Sequence, residues 1–121
     1  MRALIVDDIF TNRLLLAEIL RNMGIEFDEV ENGKEAIQAI EKEEYDLVLM
    51  DIEMPVMNGL ETTKYIREKL PYPKNQTFVV ALTAHNPQLF FEDFKDVGFN
   101  QLLTKPYNVD KINSLVEEVK G

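Results

Sequence analysis

Short apolar runs alternate with helix-period stripes from one end of the chain to the other. Residues 2–7 read as a strand. Leu16, Ile19, Leu20 and Met23 then recur at helical spacing, and Gly24 stops that helix. Phe27 to Val30 is a second short strand. Asn32-Gly33 is a turn and cap ahead of a helix carrying Ala36, Ile37 and Ile40. Leu47 to Met50 reads as the third strand, and Gly59 to Leu70 as a helix closed by Pro71 and Pro73. Residues 78–82 form the fourth strand, and Asn86-Pro87 opens a fourth helix that ends near Gly98. Residues 100–103 are the fifth strand, and Asn108 caps a last helix through Lys120. Residues 71–76 are the most loop-like stretch, and no repeat or low-complexity tract interrupts the pattern. Five such alternations predict an α/β fold: a doubly wound five-stranded parallel sheet with helices on both faces.

The strands end in chemistry. Ala3-Leu4-Ile5-Val6 runs into Asp7-Asp8, and Leu47-Val48-Leu49-Met50 into Asp51. Phe78-Val79-Val80-Ala81-Leu82 runs into Thr83, and Leu102-Leu103-Thr104 into Lys105-Pro106. Ligands of open parallel sheets bind beyond the carboxyl ends of the strands. Three acids, a hydroxyl and an amine are therefore expected in one crevice, a set suited to a divalent cation and a phosphoryl group.

Composition narrows the setting. A chain of 121 residues fits one domain with one real core. No apolar run approaches a membrane span, and the N-terminus is no signal peptide, since two acids follow a short apolar run. The absence of cysteine excludes disulfides and thiolate metal sites and is compatible with the cytoplasm. A net charge of −9 argues against direct nucleic-acid binding.

Mg²⁺ takes hard oxygen ligands and keeps several waters. Asp7, Asp8 and Asp51 could supply such ligands, and three converging carboxylates without a cation would repel. The plainer readings are that Asp8 caps the first helix, Asp51 starts a turn, Thr83 caps a strand end and Lys105 is merely exposed. Asp51 is a candidate nucleophile, because carboxylates form aspartyl-phosphate. Mg²⁺, the Lys105 ammonium and the Thr83 hydroxyl would then each take one phosphoryl oxygen, so that catalysis is positioning and electrostatics.

The chain resembles a receiver domain of two-component response regulators, the CheY-like family. The matching blocks are Asp7-Asp8, Met50-Asp51-Ile52-Glu53-Met54-Pro55-Val56-Met57-Asn58-Gly59, Ala81-Leu82-Thr83-Ala84, Gly98, and Leu103-Thr104-Lys105-Pro106. The resemblance implies a flavodoxin-like (βα)₅ fold over residues 1–121, with strand order 2-1-3-4-5. It implies phosphoryl transfer from a phosphohistidine, on a sensor histidine kinase or a histidine phosphotransfer protein, to Asp51, with Mg²⁺ required. By the same analogy the Glu53 carbonyl is a further metal ligand, and Lys105-Pro106 is a cis peptide. Such a domain is cytoplasmic. It is no enzyme beyond its own phosphorylation and dephosphorylation. Its output surface lies on the fourth helix, fifth strand and last helix, a face that would also allow a homodimer.

Two features depart from the family pattern. Leu102 stands where the family often has an aromatic ring that swings inward with the Thr83 equivalent. The fourth helix is unusually aromatic: Phe90, Phe94 and Val97 follow a core stripe, while Leu89 and Phe91 fall off it as a partner surface or loop support. Ile9 and Phe10 beside the acid pair suit docking of the phosphodonor's helices or local packing. His85 reads as a pocket-rim residue, and with Glu53 it flanks the path of water to the phosphoryl group. Three rivals are weaker. A haloacid-dehalogenase-type phosphatase needs an aspartate and a threonine where Glu53 and Pro55 stand. A flavodoxin-like flavin carrier needs a hydroxyl- and glycine-rich phosphate loop where Asp7-Asp8-Ile9-Phe10 stand. An unphosphorylated receiver-like interaction module sits poorly with Asp51 and Lys105.

Overall fold

The computed structural model describes residues 1–84 and 96–121. Their elements follow the predicted alternation: β1 (Arg2–Val6), α1 (Phe10–Asn22), β2 (Glu26–Val30), α2 (Gly33–Lys42), β3 (Leu47–Asp51), α3 (Gly59–Lys69), β4 (Phe78–Thr83), β5 (Gln101–Thr104) and a last helix, α4 (Val109–Lys120). The strands form one parallel sheet in the order β2-β1-β3-β4-β5. The helix expected from Asn86-Pro87, with Leu89, Phe90, Phe91 and Phe94, lies outside the described residues, as does His85. Among the described residues no helix is long and apolar enough to cross a membrane.

The two-residue period of the strands sorts the helices. Ala3, Ile5, Leu47, Leu49, Val80 and Leu82 share one face, where Leu16, Ala17 and Leu20 of α1 and Ile112, Leu115 and Val116 of α4 pack. Leu4, Val6, Val48, Met50 and Val79 line the other, against Ala36 and Ile40 of α2, Ile66 of α3 and Leu70 just past its end. Continuous apolar runs on β1, β3 and β4 are thus the mark of strands covered on both sides. Asparagines set three helix starts. Asn32 and Asn58 accept from backbone N–H groups three residues on, Asn58 in a capping box with Glu61, and Asn108 accepts from Asp110 and Lys111.

Boundaries moved by a residue where polar groups still pair. β3 includes Asp51, which is in register with Leu82, and β4 includes Thr83, in register with Thr104. β5 starts at Gln101 because the Asn100 side chain takes a strand partner's place, accepting from the Val79 N–H at 2.8 Å. Residues 71–76 contain a single 3₁₀ turn, Lys74–Gln76. The Lys105-Pro106 peptide is cis as the resemblance implied, and Tyr72-Pro73 is also cis.

One cation binds the far end of the sheet together. The Arg67 guanidinium donates to the carbonyls of Gly98 (2.9 Å), Asn75 (2.8 Å) and Thr77 (2.8 Å) and to Asn100 Oδ1 (2.7 Å). Gly98 has a φ of +109°, and a Cβ there would lie 2.8 Å from Arg67 Cγ, so both backbone and space require glycine.

Candidate functional site

The carboxyl ends of β1, β3, β4 and β5 bring the predicted residues together. Asp7 is fully buried just past β1. It is held from three sides: its N–H donates to the Val30 carbonyl (3.2 Å), its Oδ1 accepts from the Ile9 N–H (2.9 Å), and its carbonyl accepts from the Arg13 guanidinium (2.7 Å). Arg13, itself buried on α1, also lies 3.5 Å from Glu29 and 3.6 Å from Glu31. Asp8 is exposed, and it does not cap α1, whose first turn starts at Ile9 with no side-chain cap. Asp51 is buried at the end of β3, and its Oδ1 accepts from the Glu53 N–H at 3.0 Å. Each of Asp7, Asp8 and Asp51 places a carboxylate oxygen within 4.8 Å of the other two.

The remaining predicted groups flank the acids. Lys105 Nζ stands 3.7 Å from Asp51 Oδ1. Thr83 is buried on the neighbouring strand, and its carbonyl accepts from the Lys105 N–H at 2.8 Å, fixing the lysine's backbone beside the hydroxyl residue. Glu53 is exposed on the loop after β3, with its backbone turned into the site by the bond to Asp51.

Burial dominates the electrostatics. It pushes the Asp51 carboxyl up to about 6, helped by the charges of Asp7 and Asp8 and opposed by the Glu53 N–H and by Lys105. A cation among these oxygens would relieve the repulsion. The donor set fits a hard divalent ion such as Mg²⁺: the oxygens are carboxylate, they converge, and Asp7 Oδ2 is buried with no hydrogen-bond partner.

The loop from β3 to α3 is shaped for close approach. A Cβ on Gly59 would lie 2.3 Å from the Asp51 carbonyl and 2.8 Å from Ile52 Cα, so α3 can start against the strand end only with glycine. Val56 adopts φ +71° and is 78% exposed. That conformation costs an L-residue about 1–2 kcal/mol, and asparagine tolerates it better. Val56→Asn is therefore expected to raise stability by about 1 kcal/mol, read as a higher urea midpoint at unchanged slope; an unchanged midpoint would contradict the strain.

Leu102 is half-buried opposite Ala81 and packs with Ile52, Ala81, Leu60 and Phe99. Among the described residues its surroundings are apolar, and Phe99 contributes a ring to that cluster. Val97 is half-buried. Ile9 and Phe10 are both exposed, and Leu14, one helical turn beyond Phe10, extends that apolar strip along α1. The sequence pattern alone does not single out Arg13, Arg67 or Tyr107. The first two resemble ordinary helix-surface cations, although Tyr107 stands in plain view after Lys105-Pro106.

The sequence pattern of the response regulator receiver domain matches residues 3–117. The chain belongs to the response regulator receiver family. It is 35% identical to two-component response regulator 24 of Arabidopsis thaliana, over 97% of this chain and 82% of that protein. It spans only 6–14% of the hybrid histidine kinases and sensor kinases that it also matches. The receiver domain of sensor histidine kinase PA1611 from Pseudomonas aeruginosa, solved with magnesium in its active-site cleft, superposes with a TM-score of 0.89 at 27% identity, covering 99% of this chain and 98% of that one. The Saccharomyces cerevisiae complex of the histidine phosphotransfer protein Ypd1 with the receiver domain of Ssk1 gives a TM-score of 0.87 at 30% identity, covering 98% and 87%. The receiver is thus a signalling module of two-component phosphorelay systems.

Proposed function

We propose that residues 1–121 form one phosphoacceptor domain in which Asp51 takes a phosphoryl group from a phosphohistidine. The observation that carries this reading is the buried Asp51 carboxylate, converging with Asp7 and Asp8 and standing 3.7 Å from the Lys105 ammonium. Asp51 Oδ1 is engaged by the Glu53 N–H, which leaves Oδ2 for attack on phosphorus. The P–N bond of the donor breaks as the new O–P bond forms, and its electron pair returns to the imidazole. Lys105 neutralises one phosphoryl oxygen, and the Thr83 hydroxyl donates to another. Asp7, Asp8, Asp51 and the Glu53 carbonyl are the proposed Mg²⁺ ligands; the ion supplies charge neutralisation at the remaining oxygen.

The phosphodonor is a sensor histidine kinase or a histidine phosphotransfer protein, as in the Ypd1–Ssk1 pair, and the setting is the cytoplasm. Ile9, Phe10 and Leu14 offer it an apolar strip beside the acids. The output is the face of the predicted helix after Asn86, β5 and the last helix, read by apolar repacking around Leu102. A homodimer through that face is part of the same reading. Glu53 and His85 set the lifetime of the phosphorylated state.

Incubation with phosphoramidate and MgCl₂ tests the reading by intact mass. One added phosphoryl group is expected in the wild type and none in Asp51→Asn. Full uptake by that variant would move the acceptor elsewhere. No uptake by the wild type, from phosphoramidate or from a panel of phosphorylated histidine phosphotransfer proteins, would restore the interaction-module reading.

A further inference from the structure

Arg13 is a buried cation in the first turn of a helix, where neither burial nor the positive end of the helix dipole favours it. It is the fourth residue of α1, and its own N–H donates to the Ile9 carbonyl at 3.2 Å. Helical side chains lean back over the turn that precedes them, so this guanidinium is carried past the start of α1. There it stands 3.5 Å from Glu29 and 3.6 Å from Glu31, with its central carbon 5.8 Å from the centre of the Phe10 ring. Two carboxylates and a ring offset the cost of burying the charge. Its shortest contact, however, is to a neutral group, the Asp7 carbonyl at 2.7 Å.

That carbonyl belongs to the peptide joining Asp7 to Asp8. A peptide unit is planar, so a bond to its oxygen orients both flanking Cα atoms. From those two atoms depart two of the three carboxylates that converge within 4.8 Å. Asp7 is also held by its N–H on the Val30 carbonyl and its Oδ1 on the Ile9 N–H. Its Oδ2, buried and without a hydrogen-bond partner among the described residues, is left to meet a ligand.

We propose that Arg13 is a positioning residue of the metal site, its bond to the Asp7 carbonyl holding the Asp7-Asp8 peptide so that both carboxylates converge with Asp51 on the cation. Losing a partner that orients metal ligands from behind typically weakens metal binding by roughly 10–100-fold. Charge alone predicts the opposite sign. Removing a guanidinium leaves the acid pocket more negative, and a cation is then attracted more strongly. The direction of the change therefore separates positioning from simple electrostatics.

The inference rests on the Mg²⁺ reading above, and variants of Arg13 separate the two. MgCl₂ is titrated by calorimetry into the full chain as wild type, Arg13→Met and Arg13→Lys, each well below its melting temperature. Amide exchange is followed in the same proteins without metal. Mg²⁺ affinity is expected to be about tenfold weaker in Arg13→Met. Exchange should quicken at the Ile9 N–H, whose acceptor is the Asp7 carboxylate, while Leu49 in β3 keeps its wild-type protection. Arg13→Lys keeps the charge, but one ammonium cannot serve Glu29, Glu31 and the Asp7 carbonyl together, so its affinity should fall as well. Affinity equal to or tighter than wild type in Arg13→Met would overturn the role of Arg13 and leave the metal site standing. Exchange quickened evenly over β1 and β3 would make Arg13 a general clamp of the fold and overturn it too. Where Arg13→Met does not fold, Arg13→Lys decides on the same terms. If the wild type binds no Mg²⁺, both readings fall together.

Discussion

Asp51→Asn should be more stable than the wild type at pH 8 in the absence of divalent ions, and should lose that advantage near pH 4. The folded protein holds the Asp51 carboxyl at about 6, against an ordinary 3.8. A carboxyl raised in this way stabilises the fold when protonated. Its contribution is complete below the unfolded value and is lost as pH rises through the folded one. The difference between those two values corresponds to roughly 3 kcal/mol, and solvent at the pocket mouth screens part of it, leaving about 2 kcal/mol. Asparagine removes the charge that burial and the neighbouring acids oppose, yet its side-chain oxygen can still accept from the Glu53 N–H. Urea unfolding of both proteins with EDTA should show a gain of about 2 kcal/mol at pH 8 and nearly none at pH 4. Excess MgCl₂ should narrow the pH 8 gap, because ligand held at about 100 times its dissociation constant stabilises the wild type by about 2.7 kcal/mol. An Asp51→Asn protein less stable than wild type at pH 8 would mean that the Lys105 attraction outweighs burial. The same substitution abolishes phosphoryl uptake in the proposed mechanism, so one change would raise stability and end function. That opposition is what a strained acceptor site predicts.

Much of this site is legible in the sequence because its signal is an anomaly. Carboxylates do not close apolar strands by propensity, so Asp7 and Asp51 stand out, and the parallel-sheet rule supplies their convergence. Asparagine caps and the alternation of strand and helix periods give the described elements to within a residue or so. Pairing obscures their ends: Asp51 and Thr83 remain in the ladder although they are polar, and Asn100 replaces a backbone partner with its side chain. Residues whose role depends on where their long side chains travel are not legible. Arg13 sits on α1 at a position that reads as solvent-facing, yet it reaches back to the Asp7 carbonyl. Gly59 reads as a helix start, and only the Asp51 carbonyl, 2.3 Å from where a Cβ would stand, reveals why it cannot be alanine. Leu102 marks a departure in the sequence, but nothing there points to Phe99 as its packing partner.

Arg67 is the plainest of these hidden residues, and its loss should be costly. In the sequence it is one cation among several on α3. In the fold it bonds Asn75 and Thr77 before β4 and Gly98 and Asn100 before β5, and burial pulls its pKa below the usual guanidinium value. The fork geometry matters, because Nε, Nη1 and Nη2 each serve different acceptors. Arg67→Met keeps the aliphatic packing, leaves three carbonyls without the guanidinium and takes from the Asn100 amide oxygen one of its two donors, the Val79 N–H remaining. Hydrogen bonds to charged groups contribute about 1.5–3 kcal/mol each but do not add, so a net loss of about 3 kcal/mol is expected. Arg67→Lys should recover only a minor part, since an ammonium cannot span the four acceptors. The functional consequence follows from the same bonds. Gly98 and Asn100 are among the described residues that lead into β5, and Arg67 ties them to α3, whose other end begins at Gly59 against the Asp51 carbonyl. Amide exchange in Arg67→Met should therefore accelerate at Asn100 and Val79 while Ile5 and Leu49, in the core on the other face of the sheet, keep their protection. A loss under about 1 kcal/mol, or acceleration spread evenly over the sheet, would mean that the guanidinium only covers these carbonyls and does not hold the two loops.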